Sequence, residues 1–168
     1  MGHRPGETRL VKPRAGAVLS TSHLDQPAPT FAELGAAQPI VQALAEDGIT
    51  TAFPIQAMCL PLALDGTDLI GQAKTGTGKT LGFGIPILQR IQLDGDRRRP
   101  QAMVIVPTRE LGVQVAGDLE RAGRHLGITV LAIYGGRAYE PQIEALKAGV
   151  DVIVGTPGRV IDLSLIHI

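Results

Sequence analysis

Residues 73–80 read AKTGTGKT, and no other stretch so narrows what this chain can fold into. The octet follows a short apolar run at 68–73 and precedes a segment with helical spacing. Gly76 and Gly78 let the backbone turn so that consecutive amides face inward, and a helix starting where the turn ends adds its positive end to the same point. Ala73, Lys74, Thr75, Gly76, Thr77, Gly78, Lys79 and Thr80 together have the residue types of a phosphate loop. In such a loop Lys79 is a point charge for the β- and γ-phosphates, and the Thr80 hydroxyl ligates magnesium. Ala73 stands where the general GxxxxGK(S/T) pattern has Gly, a small departure because the closely approaching glycines are the later ones. Binding of a nucleoside triphosphate with Mg2+ is therefore expected, with the reaction left open.

The rest of the chain repeats the strand-then-helix alternation. Short apolar runs at 68–73, 102–106, 129–134 and 150–154 are each followed by a longer segment. Over 109–126, Leu111, Val115, Leu119, Ala122 and Leu126 recur at helical steps and predict an amphipathic helix. The fold class expected is α/β, a parallel sheet flanked by helices. Upstream, a helix is expected from about Pro39 to Gly48, then a Pro-containing loop with Phe53, Pro54, Ile55 and Gln56. Residues 1–30, rich in Pro, Gly, Ser and Thr, read as a disordered, weakly basic arm. Arg97, Arg98 and Arg99, beside Asp94 and Asp96, read as a solvated turn.

At 168 residues, one ordinary domain is expected. Sixteen Lys plus Arg balance sixteen Asp plus Glu, so no global basic field exists and any polyanion site must be local. The single cysteine, Cys59, excludes an internal disulfide and reads as a buried small hydrophobe. No Cys or His pair has metal-ligand spacing. No apolar run reaches the roughly 18 residues of a membrane span, and the start lacks a signal-peptide apolar core. A soluble, cytoplasmic protein without membrane contact is expected.

In an open parallel sheet, ligands sit beyond the carboxyl ends of the strands, so the loops there carry the information. The first run enters the phosphate loop. The second enters Pro107, Thr108, Arg109, Glu110 and Leu111. The third enters Gly135, Gly136 and Arg137, and the fourth Gly155, Thr156, Pro157, Gly158 and Arg159. Small residues, hydroxyls and arginines are the groups that grip a sugar-phosphate backbone. Taken singly, each loop is also ordinary capping or turn chemistry; their shared edge shifts the balance. With no Trp, two Tyr and three Phe, base-stacking platforms are not expected, and contacts should be tolerant of sequence and sensitive to salt.

In this order the motifs resemble the first RecA-like domain of a DEAD-box ATP-dependent RNA helicase, over about residues 31–162. AKTGTGKT resembles motif I, PTREL at 107–111 motif Ia, Gly135 with Gly136 the GG motif, TPGR at 156–159 motif Ib, and GITTAFPIQ at 48–56 the Q motif. The resemblance implies that Gln56 reads the adenine edge of ATP, with Phe31 supporting that pocket, and that Pro107, Thr108, Arg109, Gly135, Gly136, Arg137, Thr156, Pro157, Gly158 and Arg159 meet the RNA backbone. Ile49 stands where the family usually has Phe, and Phe53 where it often has Thr or Ser, so stacking on adenine is less secured than the Gln56 contact.

The resemblance also implies an Asp-Glu-Ala-Asp motif about one helix and strand after TPGR, yet the chain holds no Asp-Glu dipeptide. The expectation is a domain incomplete at its C-terminal end, without the second RecA-like domain and its arginine fingers, each worth roughly 10³ to 10⁵ in rate. Such a chain alone should neither turn over ATP appreciably nor unwind RNA, and an uncovered edge strand should favour aggregation. LSLIHI at 163–168 resembles the translation of a transposon-end adapter used in sequencing libraries; the alternative is a natural helix continuing past Asp162. Two other functions stay open: a different phosphate-loop enzyme, though the Asn-Lys-x-Asp motif of a GTPase is absent, or a non-catalytic nucleotide or RNA-binding module.

Overall fold

The computed structural model describes residues 27–93 and 99–167, with side chains to Leu165. The arm lies outside the described residues apart from 27–30, and so do Asp94 to Arg98. Thr30 bridges Thr51 in antiparallel fashion, and the Pro29 carbonyl accepts a 2.8 Å bond from the Ala52 N–H. Chain order continues through α1 (Gln38–Glu46), α2 (Pro54–Leu64), α3 (Lys79–Arg90), β1 (Ala102–Ile105), α4 (Arg109–Ala122), β2 (Val130–Ile133), α5 (Glu140–Ala148), β3 (Val152–Gly155) and α6 (Pro157–His167).

The strands form a parallel sheet in the order β1-β3-β2, with Ala102 and Val130 both opposite Val152. β3 lies in the middle, so all four of its residues are buried. Because successive side chains alternate across a sheet, β3 feeds two cores. Val152 and Val154 join Ile40, Leu44, Ile85, Leu88, Val115 and Leu119 beneath α1, α3 and α4. Ile153 joins Ile133, Leu146, Val150 and Leu163 under α5 and α6. β1 is covered on one face only: Ala102 and Val104 pack inward, while Met103 and Ile105 are 47% and 51% exposed.

Four expectations are corrected. The run at 68–73 is not a strand: it lies outside the ladder, and Ile70 is fully exposed. Apolar composition permits a strand, but only a neighbour that takes its backbone groups makes one, and β1, β2 and β3 pair with one another. The loop expected around Phe53 to Gln56 is instead the start of α2. Pro54 at the first helical positions is pre-set for a helix, whereas Pro61 inside it and an apolar residue on nearly every face erase the amphipathic signal. Cys59 is half-buried, not buried, because the outer side of α2 is open. The helix predicted over 109–126 ends at Ala122, where Gly123 takes over as C-cap, and Leu111 turns out exposed while Val115, Leu119 and Ala122 are buried.

Candidate functional site

The phosphate loop is set by two glycines. Gly76 and Gly78 have φ of 79° and 74°, a left-handed region that costs other residues energy. Gly78 caps α3, and a Cβ there would stand 2.3 Å from Gln56 Nε2 and 2.8 Å from a Phe53 ring carbon. Glycine is thus required at 78 by conformation and by space together. The new helix begins at Lys79, whose ammonium donates to the carbonyls of Ala73 at 2.5 Å and Lys74 at 2.6 Å, while the Thr77 hydroxyl donates to Lys74 at 2.8 Å. The loop is therefore cross-braced by its own cation. Thr80 follows in the first turn of α3.

Gln56 fastens this loop to α2. Its Oε1 accepts from the Phe53 N–H at 2.8 Å, and its Nε2 donates to the Gly78 carbonyl at 2.7 Å. Phe53 has no side-chain oxygen to return the bond, so only half of a capping box forms. Gln56 is 1% exposed, and Phe31, also 1% exposed, sits in the main core. Ile49 and Phe53 are 38% and 54% exposed. A cleft of about 490 Å³ beside α2 and α3 is lined by Ile55, Cys59, Asp68, Phe83 and Lys79 among others.

The fit of a magnesium nucleotide rests on this donor set: two left-handed glycines, an ammonium, a hydroxyl and a helix N-terminus. Among the described residues no group of three His, Cys, Asp or Glu could hold a metal. Thr80 would be one protein ligand of an ion carried by the phosphates, the usual habit of Mg2+.

At the carboxyl ends of the strands the three remaining loops converge. Thr108 caps α4, its hydroxyl accepting from the Leu111 N–H at 3.3 Å. The guanidinium carbons of Arg109 and Arg137 lie 5.9 Å and 5.5 Å from the centre of one ring, Tyr134. Gly136, with φ 80°, stands beside Arg109. Arg109, Glu110, Val113, Tyr134 and Arg137 line a cleft of about 520 Å³. The Arg109–Glu110 ion pair is exposed at 3.5 Å and weakens this positive edge little. Arg159, by contrast, is only 6% exposed: it stacks 3.9 Å from the Tyr139 ring centre and donates from Nη2 to the Arg137 carbonyl at 2.9 Å.

The profile of the DEAD/DEAH box helicase family matches residues 53–167. The chain belongs to that family. It is 48% identical over 134 residues to the ATP-dependent RNA helicase DeaD of Klebsiella pneumoniae, covering 79% of this chain and 20% of the relative. It is also 48% identical over 133 residues to the DEAD-box ATP-dependent RNA helicase CshA of Streptococcus pneumoniae, covering 79% and 25%. The chain thus spans a fifth to a quarter of the length of these relatives. The crystal structure of a DEAD box protein from Methanococcus jannaschii superimposes with a TM-score of 0.73 at 37% identity, covering 80% of this chain and 36% of that one. A hypothetical ATP-dependent RNA helicase from Sulfolobus tokodaii gives 0.68 at 37%, covering 76% and 36%. The sheet and its flanking helices are a partial RecA-like α/β fold.

In this DEAD/DEAH box chain, two contributors to the edge, Tyr139 and Gln142, escaped sequence reasoning. Tyr139 donates its hydroxyl to Asp162 at 2.9 Å, and that bond, reinforced by desolvation and the Asp162 charge against the opposing Arg159, raises the phenol above its ordinary value of 10.0. Gln142, 7% exposed, accepts from the Tyr134 N–H at 3.2 Å and donates to the Ala138 carbonyl at 2.9 Å, closing the loop from beneath. The signal in the sequence was a lone amide in the helix after Gly-Gly, too weak to read without the fold. No described helix is long and apolar enough to cross a membrane.

Proposed function

We propose that the chain is the ATP- and RNA-binding portion of an ATP-dependent RNA helicase, which in its intact form couples RNA-stimulated ATP hydrolysis to local duplex unwinding in the cytoplasm. The observation that carries this reading is the gathering of Arg109 and Arg137 around Tyr134 at the carboxyl edge of a parallel sheet, in a chain whose phosphate loop opens α3. A small-molecule kinase or GTPase has no use for that edge. Residues 73–80 would hold ATP with Mg2+ on Thr80. The ion supplies charge neutralisation at the phosphates; Lys79 would exchange its loop carbonyls for phosphate oxygens. Gln56 keeps one N–H and one lone pair beyond its two bonds, so adenine would be read by sharing or exchanging them. Phe31 supports this corner from the core.

The RNA edge would comprise Pro107, Thr108, Arg109, Gly135, Gly136, Arg137, Thr156, Pro157, Gly158 and Arg159, its exposed members meeting phosphates without reading bases. Residues 1–168, which hold no Asp-Glu pair, would by themselves bind and not turn over; in the intact protein a second RecA-like domain would be the partner. In this reading residues 31–162 are the helicase portion. Titration with fluorescent ATP and GTP analogues in Mg2+ tests the nucleotide half. The expected outcome is preference for adenine and loss of binding in Lys79→Ala; unchanged affinity in that variant would place the phosphates elsewhere.

A further inference from the structure

Arg159 is the anomaly of the positive edge. It is the one arginine of the three that lies below the surface, at 6% exposure, while Arg109 and Arg137 are exposed. Its Nη2 is bonded to the Arg137 carbonyl at 2.9 Å, and its Nε and Nη1 are buried without a hydrogen-bond partner. Unpaired buried donors on a charged group are costly and call for a structural return. The return is visible in what Arg159 joins. Its guanidinium carbon Cζ lies over the Tyr139 ring, 3.9 Å from the centre, and Tyr139 in turn is tied by its hydroxyl to Asp162, one turn further along α6. The loop from Tyr134 to Tyr139 is thereby held at three points. Gln142 fixes Tyr134 and Ala138 from α5, and Arg159 fixes Arg137 from α6.

We propose that Arg159 and Tyr139 are positioning residues: Arg159, seated on the Tyr139 ring and bonded to the Arg137 carbonyl, locks the loop after β2 to the start of α6. The lock makes Arg137 and Arg109 share Tyr134 and present one paired charge to the RNA backbone. This rests on the RNA reading above and assigns Arg159 a role through its neighbours, not through a phosphate of its own. Planarity is what the seat demands. A guanidinium stacks on a ring and still donates in its plane, whereas an ammonium is a point charge without a face.

The test uses the whole chain, a fluorescein-labelled oligouridine followed by anisotropy over a salt series, and nucleotide binding as the report that each variant is folded. Arg159→Lys keeps the charge and should nonetheless weaken RNA about tenfold, the scale of one charge-assisted hydrogen bond. Its slope of log affinity on log salt should fall by about 0.7, the value of one lost single-strand phosphate contact. Arg137→Ala should do the same, and the double variant should lose little more, since the second change removes a contact already misplaced. Tyr139→Leu, which removes the ring under the guanidinium, should match Arg159→Lys. Parent-like affinity in Arg159→Lys, or additive losses in the double variant, would overturn the positioning role while leaving the RNA edge standing. If the combined Arg109→Ala and Arg137→Ala variant binds RNA unchanged, the edge itself is refuted and the positioning role goes with it.

Discussion

Gly155 shows how one residue sets the spacing of the carboxyl edge. A Cβ built on it would lie 2.4 Å from Val160 Cγ2 and 2.8 Å from Ile133 Cγ1, with the Ile133 carbonyl oxygen at 3.3 Å. Both carbons belong to β-branched side chains with little freedom to turn aside. Glycine is needed here for closeness alone, since the backbone is ordinary strand and pairs with Ile105 and Ile133. Gly155→Ala should lift α6 away from β3 and cost about 1–3 kcal/mol, the usual penalty of an overpacked core. Denaturant unfolding of the two proteins measures it, and a midpoint equal to the parent's would show that α6 yields freely. Glycines with positive φ announce themselves in turn patterns such as TGTGK; a glycine kept for clearance does not. The phosphate loop was legible for that reason. The Arg159–Tyr139 seat was not, because its two residues come from different helices' surroundings and meet only once β2 and β3 are paired.

At the scale of elements, α1 and α4 are fastened at their C-terminal ends by charge. Arg124 reaches Asp47 at 2.5 Å and Glu46 at 3.5 Å, and His125 Nε2 lies 3.0 Å from both Glu46 oxygens. The His125 hydrogen bond is the first cause holding the Glu46 carboxyl below its ordinary value of 4.5, with Gln42 and the charges of His125 and Arg124 adding to it. A carboxylate favoured in the folded state contributes stability above its unfolded value and loses it as pH falls through the folded one. Stability should therefore drop below about pH 4.5 with a component that Glu46→Gln removes, read from unfolding midpoints along a pH series. An identical acid limb in parent and variant would mean the clamp is screened away by solvent, the common fate of exposed pairs. Element reading from the sequence succeeded where the helical period was clear, as in α4 after Thr108, though it ran past the Gly123 cap to Leu126. It failed at α2, whose prolines and unbroken apolar face conceal a helix. It failed again at 68–73, where strand composition is present but pairing, a property of neighbours, is not.

Taken whole, the molecule has one finished face and one unfinished one. α1, α3 and α4 close the sheet on the side of Val152 and Val154, and α5 with α6 closes the other side only over β2 and β3. Met103 and Ile105 remain 47% and 51% exposed on β1, and Leu69 and Ile70, at 40% and 104%, add apolar surface of their own. A parallel sheet open to water on one strand is unusual, because such sheets are covered on both faces, and an uncovered edge strand invites pairing with another chain. Zero net charge supplies no repulsion to oppose that contact. Self-association should therefore rise with concentration in sedimentation velocity runs. A charge placed on the open face without touching either core should suppress it, as natural edge strands do. Ile105→Lys meets that condition: its side chain projects away from Val104 and Ala102, and it lies outside both the phosphate loop and the residues proposed to meet RNA. The variant should stay monomeric at concentrations where the parent does not, with nucleotide binding unaltered. Equal association in both proteins would move the sticky surface from β1 to the apolar stretch at 69–70, where a charged residue at Ile70 becomes the next variant to measure.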